Sequence, residues 1–228
     1  MTWWKVSAVL AALVVATFAV AEGVSELTGA GMDELVRDPV TADVRYWYTG
    51  FVSVLGVMAW AGVSAACLVL SLAAVPERRA LLLLGVLTAA LAADDAFLLH
   101  EVVLPTQLGV PELLPIALYA LAALGVLALL HRSGRWDLQL SFVLAGACLA
   151  GSILVDLVVP FDSANTRVTV VEDGLKVLGA VQLLALPTLI ASRLAAQVHA
   201  EETSLAGGQE APEDDALAEV AVGGRRAA

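Results

Sequence analysis

The residues with chemistry to offer gather in two short runs. Asp94-Asp95-Ala96-Phe97-Leu98-Leu99-His100-Glu101 sets three carboxylates and an imidazole within one stretch, and Glu172-Asp173-Gly174-Leu175-Lys176 adds two carboxylates and an amine. Both runs lie in apolar surroundings, where an ionised group is costly unless it is paired or wetted. Oxygen ligands with one imidazole suit a divalent ion, which makes Asp94, Asp95, His100, Glu101 and Glu172 the candidate metal ligands. Carboxylates beside a histidine and a buried lysine can also move protons, which makes Asp95, His100 and Lys176 the candidate acid–base residues. Asp156, Asp173 and Glu22 are expected to line the same polar cavity. No His-Glu-x-x-His motif and no Glu-x-x-His pair occurs, so a zincin or di-iron centre is not indicated. A divalent metal ion is the one cofactor these residue types suggest.

The elements that must hold these groups are membrane helices. Of 228 residues, 60% are hydrophobic and only 15% charged, and the mean hydropathy is +0.86. A soluble domain carries about a quarter charged residues. The formal charge of −11 owes much to the end of the chain, where Glu201, Glu202, Glu210, Glu213, Asp214, Asp215 and Glu219 fall. Nucleic acid is excluded as a partner, since its recognition needs a basic face. The lipid bilayer is the expected partner, with a small-molecule or lipid substrate allowed by the site. Cys67 and Cys148 stand singly in apolar runs and read as packing residues.

Hydropathy predicts six spans, over residues 5–22, 49–75, 80–104, 113–130, 138–160 and 168–195, each long enough to cross about 30 Å of hydrocarbon. Trp3 and Trp4 precede the first span and Tyr46, Trp47 and Tyr48 the second, as interfacial anchors. Ala19-Val20-Ala21 resembles a signal-peptidase site, but the length of the run and its tryptophans favour an uncleaved helix. The polar connection over 22–47 is broken by Gly29, Gly31 and Pro39, with a short amphipathic turn at Met32–Val36. Gly146-x-x-x-Ala150 and Ala147-x-x-x-Gly151 offer small faces for close packing. Pro187 predicts a kink in the sixth span. Residues 199–228, rich in Glu, Ala and Gly, read as a disordered acidic tail. The expected fold is an all-α bundle of six membrane helices.

Lys5, Arg78/Arg79, Arg132/Arg135 and Arg193 mark one set of loops and termini. By the positive-inside rule both termini are then cytoplasmic. The preference for arginine over lysine matches a GC-rich bacterial genome, so the expected location is a bacterial plasma membrane. The third span then runs outward and places Asp95 roughly 13 Å below its outer end, while Lys176 falls roughly 12 Å down the sixth. Asp156 and Glu172 lie about 6 Å down, with Glu22 and Glu26 at the rim. On an uninterrupted helix Asp94 and Glu101 would share a face, with Asp95 and His100 turned to either side. The third helix is accordingly expected at the centre of the bundle.

The two runs resemble those of multi-pass bacterial membrane proteins of uncharacterised activity that carry a D-[DE]-x-x-x-x-H-E run and a later E-[ED]-x-x-[KE] run. The resemblance implies that both runs belong to one site. Alkaline ceramidase and progestin-receptor type membrane hydrolases offer a looser comparison. They bind metal near one membrane face but need a late His-x-x-x-His that this chain lacks.

Three functions follow from the residues. The first is cation binding in the outer half, extending to a metal-dependent enzyme on a lipid or small substrate. The second is a proton- or cation-coupled transporter. The third is an accessory protein whose charges only lock helices.

Overall fold

A computed structural model describes residues 2–36, 49–158 and 166–208, with the side chains of Asp33, Asp156, Leu157, Thr166, Arg167 and residues 206–208 excepted. Every regular element among the described residues is a helix, in the order α1 (Trp3–Thr28), α2 (Met32–Val36), α3 (Phe51–Leu70), α4 (Arg78–Phe97), a π-helical turn (Leu99–Val103), α5 (Leu104–Leu108), α6 (Leu113–Arg132), α7 (Trp136–Val158), α8 (Thr166–Gln182) and α9 (Ala185–Gly208). Six helical stretches are long and apolar enough to span a bilayer. The chain is therefore an all-α, multi-pass membrane protein. It divides into two compact units, Met1–Leu189 and Ile190–Ala228. The first holds the packed bundle; the described part of the second is the continuation of α9.

Local chemistry sets the helix ends. Helix α1 runs six residues past Glu22 and stops where Gly29 takes a positive φ of 72°, its N–H bonding back to the Ser25 carbonyl at 2.9 Å. The short α2 turns Leu35 and Val36 wholly inward against Val14, Ala21, Val52 and Val177. Helix α3 ends at Leu70, where the Ser71 hydroxyl donates to the Leu68 carbonyl at 2.6 Å. The interfacial triplet Tyr46-Trp47-Tyr48 lies outside the described residues.

Two departures from the expected spans matter for function. The third span does not continue to Leu104: α4 ends at Phe97, and Leu98 sits in the left-handed region at φ 50°. The sixth is broken at Leu183–Leu184, one turn before Pro187. Proline cannot donate to the carbonyl four residues back and its ring crowds that turn, so the helix opens there. A third difference concerns the tail. Helix continues through residues 199–208, where Ala, Glu and Leu are strong helix formers and His199 Nδ1 meets Glu202 at 3.3 Å. Residues 209–228 lie outside the described residues.

The core sits where α8 meets α7, α3, α1 and α2, while α4 packs on α3 and α6. The expected central position of the third helix thus belongs to α8. Close approach is made at two glycines. A Cβ on Gly85 would lie 2.8 Å from the Leu68 side chain, and one on Gly179 would lie 2.7 Å from Leu149 and 3.0 Å from the Ala145 carbonyl oxygen. Of the predicted small faces, Gly151 meets Leu175 but Gly146 faces open space.

Candidate functional site

The break at Leu98 builds the first half of the site. Asp94, in the last turn of α4, is buried. One of its oxygens accepts the backbone N–H of His100 at 2.8 Å, and the other meets His100 Nδ1 at 2.7 Å. The carboxylate therefore satisfies an orphan donor at the start of the π-helical turn while orienting the imidazole. Left-handed backbone costs a non-glycine residue roughly 1–2 kcal/mol. Here Leu98, itself 7% exposed, offsets that by burying a side chain worth about 1.5–3 kcal/mol. Tyr119 on α6 reaches the same Asp94 carboxylate with its hydroxyl.

On its other side His100 Nε2 lies 3.6 Å from Glu101. A neutral ring donating from Nδ1 would turn a lone pair toward that carboxylate, so two flanking acids favour the doubly protonated imidazolium. The residue lies in the turn beyond the span that ends at Phe97. Its pKa is held above the ordinary histidine value, first by the hydrogen bond to Asp94 and then by the charges of Asp94, Glu101 and Glu112, against the opposing effect of burial. Side-chain exposure rises along the line, from 4% at Asp94 through 23% at His100 to 45% at Glu101.

The second half is a clamp between helices. Lys176 Nζ on α8 lies 3.1 Å from Asp95 and 3.9 Å from Asp173 one turn away. Gly56 of α3 packs beside it: a Cβ there would stand 3.3 Å from Val177 and, at ordinary contact distance, 3.9 Å from the second Asp95 oxygen. Glu172 bears electrostatically on Asp173. Glu101 bears on both Asp173 and Lys176, so it couples the clamp to the Asp94–His100 line.

Sequence spacing thus brings the two runs together but misassigns partners within the first. The uninterrupted helix sets His100 on a different face from Asp94; the break and the wider π-helical turn bring them into contact. Asp94 lies three residues from the end of α4, about 4.5 Å by helical rise. The five candidate metal ligands are divided between the two halves, and among the described residues no group of three or more His, Cys, Asp or Glu is arranged to hold one metal ion. Asp156 is in α7 but its side chain lies outside the described residues, and Glu22 is exposed on α1. Tyr119 and Gly56 escaped the sequence reading. The phenol left a signal, a hydroxyl inside an otherwise aliphatic span; the glycine left none.

Toward the far end of α8, beside the Leu183–Leu184 break, Gln182 is buried and donates from Nε2 to the Ser7 carbonyl at 2.9 Å. Among the described residues, Gln182 Oε1 and Ser7 Oγ are buried without a hydrogen-bond partner.

Fold and site together define a multi-pass helical membrane protein with coupled ion pairs at one end of its bundle. The chain belongs to the family described as Domain of unknown function (DUF8692), whose model matches residues 6–190. No curated protein and no solved structure matches it.

Proposed function

We propose that the protein is a proton-coupled membrane transporter in which Glu101, His100 and Asp94 form the entry relay. The observation that carries this reading is the continuous line from an exposed carboxylate through an imidazole to a buried one. Glu101 keeps the ring charged by exchange with solvent, and in the transfer step the imidazolium passes its Nδ1 proton to the nearer Asp94 oxygen. The ring ends neutral and the proton ends on Asp94. The backbone N–H of His100 and the Tyr119 hydroxyl hold Asp94 in place, and the Asp95–Lys176 pair fixes α4 against α8. Discontinuous helices with charged groups at their breaks are a recurrent device of transporters; here both charge-bearing spans are interrupted. Ser7 and Gln182 supply polar groups toward the other end. The distribution of arginines supports an orientation with the relay facing away from the cytoplasm of a bacterial plasma membrane.

The test is proton flux into liposomes containing the full-length protein and an enclosed pH dye, after an external pH step with potassium and valinomycin clamping the potential. The expected result is flux above that of protein-free vesicles, reduced at least tenfold in Asp94→Asn and His100→Gln. Flux equal to the protein-free control, or unchanged in both variants, overturns the proposal.

Two other readings stand behind it. A divalent ion, alone or in a metal-dependent enzyme, would draw on Asp94, Asp95, His100, Glu101 and Glu172, which the ion pairs divide. The helix-locking reading is favoured specifically by the 3.1 Å Asp95–Lys176 pair, and it accounts for the clamp without the relay.

A further inference from the structure

Between α6 and α7 the surface carries an open apolar groove of about 630 Å³. It lies at the end of α6 away from the relay, because Arg135 in the α6–α7 turn pairs with Glu77 at the start of α4 at 3.1 Å. Leu124, Leu127 and Ala128 form one wall, and Leu140 and Val143 the other. His131 and Gln139 close the mouth, 3.3 Å apart, and Trp136 stands 63% exposed beside them. Helix α6 is the least buried of the six candidate spans, so the groove opens sideways, toward hydrocarbon.

Charge at the mouth selects the occupant. Arg135 is committed to Glu77 and Asp137. Arg78, Arg79 and Arg132, at the same end of the bundle, are exposed, which leaves a cationic surplus at headgroup level. Exposed tryptophan is the side chain that favours this level of a bilayer. We propose that this groove is a binding site for an anionic phospholipid: an acyl chain lies along the leucine walls and the phosphate sits on Arg132 beside Trp136. The inference is independent of the proton relay.

The test is native mass spectrometry of the full-length protein in detergent, titrated with phosphatidylglycerol and, separately, phosphatidylcholine. The expected result is preferential retention of phosphatidylglycerol by at least about fivefold, the scale of one basic contact to an anionic lipid. Arg132→Gln abolishes the preference while leaving phosphatidylcholine retention unchanged. Ala128→Phe, at an exposed position where the ring fills the groove without entering the core, lowers retention of both lipids. Equal retention of the two lipids by the wild type, a preference that survives Arg132→Gln, or retention unchanged in Ala128→Phe overturns the proposal.

Discussion

Asp94 and Asp95 are neighbours with opposite obligations. Asp94 turns back along its own chain to complete a helix break and orient His100, whereas Asp95 crosses to Lys176 on α8. Truncating one member of a largely desolvated pair leaves the other charge without compensation, typically at a cost of about 3–5 kcal/mol. Lys176→Met is therefore expected to destabilise the protein strongly, since Asp95 and Asp173 then face each other without a cation. Removing the carboxylate as well, in Asp95→Leu/Lys176→Met, should recover most of that loss. A thermal melt of the single and double variants in the same detergent checks this; equal losses would show that the pair is not what locks the helices. Residue types alone mark both runs as needing partners, since charges in apolar segments are costly unless paired. Who partners whom was not legible, because a single residue at φ 50° re-phases everything beyond it.

At the scale of elements, the bundle is held by two tight helix pairs, α3 with α4 and α7 with α8. Each contains a glycine pressed against a leucine of its partner. Gly179 is the stricter, because a Cβ there would meet the Ala145 backbone oxygen as well as Leu149, and backbone cannot swing aside as a side-chain tip can. Gly179→Val is expected to cost at least about 1–3 kcal/mol from overpacking, while Gly146→Val, facing open space, should be tolerated. Comparative melting temperatures of the two variants decide the point. The sequence pattern of small residues located this face on α7 correctly at Gly151 but not at Gly146. A small-x-x-x-small spacing states that close approach is allowed on a face, not which neighbour takes it up.

For the whole molecule, the ends of the bundle differ in kind. One carries the Asp94–His100–Glu101 line and the Asp95–Lys176 clamp, the other a cluster of arginines, of which Arg135 pairs with Glu77 and Asp137. The proposed orientation, drawn from the positive-inside rule, puts the arginine end in the cytoplasm. Cysteine substitutions at the exposed Arg132 and Glu101, in a background with Cys67 and Cys148 changed to serine, are therefore expected to label from opposite sides of sealed cells. An impermeant maleimide should reach position 101 from outside and position 132 only after permeabilisation. The reverse pattern would place the relay on the cytoplasmic face.

Composition and hydropathy alone determined the class, because hydrocarbon admits only segments whose backbone bonds are satisfied within a helix. They also marked the two charged runs, because an ion in such a segment demands an explanation. Tertiary structure decided the rest. The break at Leu98 made His100 the partner of Asp94, and α8 took the position expected of the third helix. Each depended on which neighbour a side chain could reach, and periodicity along one helix carries no information about the helices around it.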